Sequence, residues 1–360
     1  MTDPHPYAGT APVFDIDGQH RGELARDLLR MDVAENTAGL RTFVGHFQAV
    51  GPQSDGSSDQ LQYLDGKLVS FGQALKVTIG PPEAQRQIFD GRVSAIEVTF
   101  ADGGTPFVSV YAEDVLMKLR MTRRSHSYEN TTDAGIAQQI ASEHGLTADA
   151  DADGPTYSVV QQWNQSDLAF LRERAALVNA EIWALGTTLG FKTRTKRTAT
   201  EITLVQGNTL LEAQVRADLA HQRDTVRVTG FDNDSASAIE SEAGPAVLQR
   251  EVTGGRTGVS VLTKGLGAKD GVWAHRTPVN AGEATAWAEA DYLRRARRFV
   301  RVDGVTSGTA DLTVSSRLRL ERVGPIFEGA TYYTIAVHHS YDLNIGFRTR
   351  FSAERATVSA

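Results

Sequence analysis

The chain has 360 residues, 41% of them apolar and 22% charged, with a formal net charge of -7 and no cysteine. That length predicts about two or three domains, and the composition is that of a globular chain. The acidic balance excludes a general nucleic-acid binder, and the missing thiols exclude disulfides, thiolate zinc sites and a cysteine nucleophile, so synthesis in the cytoplasm is expected.

The opening MTDPHPYAGTA lacks the basic-then-apolar layout of a secretory signal. No run approaches the roughly 18 apolar residues of a membrane span, so no stable membrane anchoring is expected. The stretch 51–60, GPQSDGSSDQ, reads as a loop by composition. Leu75, Val77 and Ile79 alternate with polar neighbours and stop at Gly80-Pro81-Pro82, where proline has no amide to donate to a ladder. The next strand carries Val93, then Ile96, Val98 and Phe100, so its period of two slips by one residue around Ala95, which predicts a β-bulge. Asp102-Gly103-Gly104 turns the chain into Phe107, Val108 and Val110, completing an antiparallel unit.

The period then changes. Thr131 and Thr132 cap a predicted helix bearing Ile136, Ala137 and Ile140 and stopped by Gly145, and Ser166 caps another bearing Leu168, Leu171, Ala175 and Val178. Short β-like stretches at 157–163, 182–185 and 202–205 complete a small α+β unit. Val226 and Val228 mark another strand, after which 231–271 is rich in small and polar residues and predicts loops and exposed strands, forming an arm toward a neighbouring subunit. Asn280 with Glu283 starts a long helix over about 282–299, striped by Trp287, Leu293, Ala296 and Val300. Tyr333, Ile335, Val337, His339 and Tyr341 share one face of a strand that turns at 342–346 and returns through Phe351, a closing hairpin.

Candidate chemistry is sparse. Asp149, Asp151, Asp153 and Gly154 have the opening spacing of a calcium loop, but its twelfth position is Val160, so the segment reads as a solvated loop. The glycines of 265–271 lack the spacing and strand-to-helix context of a phosphate-binding loop. His338 and His339 are adjacent on a strand, so they face opposite sides and cannot chelate one metal. With no nucleophile elbow, metalloprotease helix or paired acids, the sequence predicts no enzyme and no catalytic, cofactor or metal residues. Its dense basic cluster is Arg294, Arg295, Arg297, Arg298 and Arg301, read as a docking patch for an acidic partner, since guanidinium forks hold carboxylates at two points.

Three stretches resemble the late control protein D family of contractile phage tails and the hub portion of the type VI secretion valine-glycine-repeat spike. They are Ser127 to Leu146 (SYENTTDAGI to EHGL), Gln161 to Arg174 (QQWNQSDLAFLRER), and the hairpin from Tyr333 (YTIAVHHSYD) through Gly346 to Phe351 (GFRTRF). The resemblance implies a β-dominated α+β protein: two tube-like β-barrel domains flanking a small α+β domain. Their expected limits are 1–111, 112–210 and 211–360, the last with a loop-rich insertion at about 231–280 and the helix at 282–299. It further implies a homotrimeric ring acting as a structural baseplate hub that adapts a hexameric inner tube to a trimeric spike. The implied partners are the inner tube protein, a separate spike protein and baseplate components, within a phage-tail-like particle. The competing readings are a tail-associated cell-wall-degrading enzyme, which needs paired carboxylates or a metal in a cleft, and a receptor-binding tail module, which needs an aromatic-rich concave face.

Overall fold

The computed structural model describes residues 9–50, 61–232, 235–273 and 277–359; the expected loop at 51–60 lies outside them. Most of the strands join one thirteen-stranded sheet, and twelve of those strands fall into two sets of six. The first set is β1 (Val13–Ile16), β2 (Leu28–Asn36), β3 (Thr42–Gln48), β4 (Ala74–Ile79), β5 (Arg86–Thr99) and β6 (Phe107–Glu113). The second is β7 (Glu201–Val205), β8 (Leu210–Ala217), β9 (Val300–Thr306), β10 (Arg317–Glu321), β11 (Gly329–Asp342) and β12 (Gly346–Arg355).

Across the sheet the first set runs β2, β3, β6, β5, β4, β1, and the second runs β8, β9, β12, β11, β10, β7. The two orders are the same. Where they differ is at the last step, because β1 pairs antiparallel with β4 whereas β7 pairs parallel with β10. Each set closes over its own core: Phe14, Phe43, Phe47 and Phe89 in the first, Leu204, Leu318, Tyr332 and Phe351 in the second.

The likeness extends to single residues. β5 and β11 are both 14 residues long, and each is broken by a bulge against its hairpin partner, between Val93 and Ala95 in one and Thr334 and Ala336 in the other. The slip around Ala95 was legible in the sequence for this reason. β2 and β8 each carry a bulge against the following strand, at Leu28/Arg30 and Leu210/Glu212. In both, the residue before the bulge is buried (Leu28 at 1%, Leu210 at 0%) and the bulged leucine is pushed outward (Leu29 at 38%, Leu211 at 39%). Gly45 in β3 and Gly304 in β9 occupy matching places; a Cβ would meet rings of Phe43 and Phe47 at 2.7 Å in one and Phe351 at 2.7 Å in the other. The aromatic ring takes the volume that the glycine vacates.

Between the two sets lies the small α+β unit. Helix α1 (Asp133–Glu143) starts at Thr132, whose hydroxyl accepts from the Gly135 amide at 3.1 Å, and α2 (Asp167–Leu177) starts at Ser166, which accepts from Ala169 at 3.3 Å. Both caps stand where the sequence puts them. The unit's strands, Arg123–Thr131 with Tyr157–Ser166 and Thr147–Asp151 with Thr188–Thr193 and Ala180–Leu185, enclose Ile136, Ile140, Leu171, Ile182 and Phe191. Glu201–Val205, expected within this unit, is β7 and pairs with β10.

The segment 231–280 departs from expectation. Strands Thr225–Asp232, Ser237–Ala243 and Asp270–Trp273 form a sheet, helix Gly258–Leu266 follows Thr257 as its cap, and α3 (Ala281–Arg297) lies on that sheet. Val226, Val228, Ile239, Leu248 and Val259 form a separate core with Trp287 and Tyr292. Such apolar residues are too sparse along the chain to show a period, and only α3 gathers them. The start of α3 follows the expected capping box: Asn280 Oδ1 accepts from the Glu283 amide at 2.9 Å, and Glu283 accepts from the Val279 amide at 3.0 Å. Its last residue is Arg297, two short of the expected end.

Because the glycines hold space for rings, Gly45→Val and Gly304→Val should each lower stability by about 1–3 kcal/mol through overpacking. Urea unfolding measures the effect; unchanged midpoints would mean that the rings can move aside.

Candidate assembly surfaces

In an antiparallel sheet, directly opposed residues project to the same side. In the second set, Val302, Phe351 and Ala353 point into the core, so Asp303, Arg350 and Ser352 share the opposite face with Gln214 of β8. Six adjacent strands, β8, β9, β12, β11, β2 and, through Thr42, β3, line a groove of about 820 Å³ on that face, together with Gly39, Leu40 and Arg172. The groove makes the polar face concave. Arg172 of α2 closes one end, donating to the carbonyls of Ala38 at 2.8 Å and Gly39 at 3.1 Å in the β2–β3 turn.

Continuity between the two sets comes from β11. Its first half pairs with β10, and beyond the bulge Ala336 to Asp342 pair with Asn36 to Arg30 of β2. His338 and His339 sit on this stretch and face opposite ways as expected. His338 Nε2 meets the Asp32 carboxylate at 2.8 Å, while His339 is buried with Nδ1 2.9 Å from the Thr349 hydroxyl.

The five arginines do not form one patch. Arg297 is buried and forks onto Glu251, with a further bond to Asn179; it ties the end of α3 to the small unit and is turned away from solvent. Arg294 and Arg295 share Asp291 one turn back, at 3.4 and 2.7 Å. Arg298 is exposed at the helix end. Arg301 has left the helix: it lies on β9 beside Asp303 at 3.2 Å.

A buried ionic cluster that the sequence reading did not single out joins the small unit to the second set. Glu181 accepts from Arg194 at 3.3 Å, from Arg197 at 3.0 Å and from the Tyr333 hydroxyl. Arg194 also reaches Glu354 at 2.8 Å and stacks 3.9 Å over the Tyr333 ring. Burial and the neighbouring Glu181 push the Tyr333 hydroxyl well above the usual phenol range. The acids are far apart in sequence, so nothing in their spacing could announce the cluster.

The remaining candidates are occupied within the chain. Asp149 pairs with Lys192 at 2.6 Å, and Asp151 and Asp153 share Lys196 at 2.7 and 2.8 Å. The 265–271 glycines span the end of one helix and the start of a strand. Asp114, raised to about 6 chiefly by burial, accepts the backbone amides of Arg41 and Leu116 at 2.8 and 2.9 Å, so its oxygens brace a turn. Among the described residues no group of three potential metal ligands gathers, and no helix is long and apolar enough to cross a membrane.

Removing one member of a buried ion cluster leaves the others uncompensated. Arg194→Met should therefore cost about 3–5 kcal/mol, against less than about 1 kcal/mol for Lys67→Met, whose partner Asp65 lies at the surface. Calorimetry on both variants checks the contrast.

Burial, helped by Arg41 and His338, pushes His339 down to about 3, so the folded chain holds it neutral while the unfolded chain takes up a proton below about 6.5. Its contribution is whole above that pH and drains away as pH falls toward 3, by about 1.4 kcal/mol per unit. His339→Gln should flatten the acid limb of the stability curve. Parallel curves for the two proteins between pH 6.5 and 4.5 would contradict this.

The model of the family described as Alg8 N-terminal domain matches residues 53–342. No curated protein matches the chain by sequence. Among solved structures, the prophage MuSo2 43 kDa tail protein from Shewanella oneidensis superposes with a TM-score of 0.71 at 13% identity, covering 97% of this chain and 99% of that one. The tail protein from Neisseria meningitidis MC58 gives 0.65 at 10% identity, covering 96% and 97%. An E. coli component of the type VI secretion system, described as similar to the T4 tail proteins gp27 and gp5, gives 0.56 at 12% identity, covering 91% and 73%. At these identities the likeness is one of fold: the chain shares its β-dominated fold with these tail and secretion-system proteins.

Proposed function

We propose that this chain, which belongs to the Alg8 N-terminal domain family, is a structural baseplate hub of a contractile phage tail or phage-tail-like injection system, adapting a hexameric inner tube to a trimeric spike. The observation that carries the reading is the repeated strand order: one polypeptide holds two six-stranded units with the same sheet order and the same bulges. Three copies then present six near-equivalent units to a sixfold tube while keeping threefold symmetry for a spike. Closed symmetric rings are the ordinary form of homo-oligomers.

On this reading 1–111 and 201–360 are the two tube-like domains and 112–200 is the small domain between them, the limit at 210 moving to 200 because β7 pairs with β10. The partners are two further copies of the chain, the inner tube protein, a separate spike protein and baseplate components, met after synthesis in the cytoplasm. The role is structural rather than enzymatic: the buried acids and arginines are spent on one another. The concave face offers no aromatic platform of the kind a glycan receptor site needs: the aromatic ring among its lining residues, Phe351, is buried. The docking patch contracts to Arg294, Arg295 and Arg298 at the end of α3, with Arg301 assigned to the sheet and Arg297 to the interior.

Native mass spectrometry should give three copies, and negative-stain images with the cognate tube protein should show a threefold ring capping a sixfold tube. A chain that stays single beside its tube protein, or that clears cell wall on a zymogram, would end this reading. Arg298→Glu should leave melting unchanged and reduce particle assembly; normal particles would retire the helix-end patch.

A further inference from the structure

The two sets of strands are joined by one edge-to-edge contact, and each edge in that contact has an unused twin. In β11, Thr334 exchanges backbone hydrogen bonds with Ser315 and Ser316 before the bulge, and past it β2 takes the same edge. In β5, Val93 exchanges the matching bonds with Gly72 and Gln73. Past that bulge, among the described residues, no strand lies on the outer edge of Ala95 to Thr99. β8 is the twin of β2, and it is the end strand of the sheet, paired on one side with β9 and on the other with no strand of the described residues.

We infer that β8 of one copy pairs with the second half of β5 of the next copy, in the register that β2 and β11 use inside the chain. This deepens the ring reading above and rests on it for the existence of neighbouring copies, but the register comes from the chain itself. Counting from the matched bulges, Glu97 stands for His338, Val98 for His339, Arg216 for Ala34 and Val215 for Val33. The internal pairs His338↔Ala34 and His339↔Val33 thus become Glu97↔Arg216 and Val98↔Val215 between copies.

The side chains fit these places. Val98 packs at the margin of the first core and Val215 at that of the second, both half-buried, so apolar meets apolar on the core side of the sheet. On the concave side, Glu97 and Arg216 are both exposed and of opposite charge. Within one copy Arg216 pairs with Asp218, and Arg301, directly across β8 and β9 from it, pairs with Asp303, while Glu97 accepts from the Tyr111 hydroxyl at 2.7 Å. A Glu97–Arg216 pair between copies adds opposite charge to an arginine already flanked by one acid. β8 and β5 are different surfaces, so the contact is head-to-tail and in the proposed ring repeats from copy to copy, covering the two unused edges.

The absence of cysteine makes the test clean, since paired thiols can be introduced alone. Adjacent rows of an antiparallel ladder alternate between wide and narrow Cα separation, so Glu97→Cys with Arg216→Cys and Val98→Cys with Val215→Cys together sample both kinds. Mild oxidation of the purified chain should yield covalent oligomers ending at three copies from at least one pair. Val98→Cys with Ala213→Cys, two residues out of register on the same face, should cross-link at least tenfold less. Glu97→Arg should weaken oligomers, and Glu97→Arg with Arg216→Glu should restore them. Three copies by native mass with no cross-link at either predicted pair, or equal cross-linking out of register, would overturn the register and leave the ring standing. A chain that remains single and uncross-linked would overturn both.

Discussion

A strand that ends a sheet exposes a row of backbone donors and acceptors that must be paired, covered or wetted, and much in this molecule follows from how that row is managed. β11 is longer than β10 can cover, and the surplus beyond the bulge is the surface on which the first set of strands is hung. The bulge lets one strand serve two neighbours on the same edge, because the extra residue re-aims the chain between Thr334 and Ala336. With it the two sets of strands share one continuous sheet whose polar face is concave.

Backbone pairing alone would leave the small unit free to rotate against that sheet. Glu181, Arg194 and Glu354 prevent this, since each carboxylate depends on cations from another element and a shifted seating would strand a charge in a dry interior. Arg297 does the same between α3, Asn179 and Glu251. These contacts fix orientation more than they add stability, as the proposed ring would require of a part repeated from copy to copy. α3 thereby links the small unit to the second set of strands, so the units cannot be regarded as independent beads.

The functional reading and the fold meet at the repeat. A tube wall is a closed sheet, and a unit that extends its neighbour's sheet through one edge while offering the other to the next can be continued around an axis. The two units have diverged in side chains, Glu97 against His338 and Arg216 against Ala34, while keeping bulges, glycines and strand order. Main-chain pairing is blind to side-chain identity, whereas a misplaced bulge flips every residue after it to the wrong face.

By itself the sequence determined whatever depends on neighbours a few residues away: the caps at Thr132, Ser166 and Asn280, the slip around Ala95, the closing hairpin and the opposite facing of His338 and His339. Those signals are local because helix ends and strand faces are set within one or two turns of chain. The sequence also suggested a family likeness broad enough to expect two barrels. Only the tertiary structure decided that Arg297 faces inward and Arg301 sits on a strand, that the sparse apolar residues of 231–280 make a core on α3, and that Glu181 anchors an ionic cluster. It alone decided that the two units share one strand order. Each of these depends on residues tens to hundreds of positions apart, and the free energy that brings them together belongs to no segment that can be read alone.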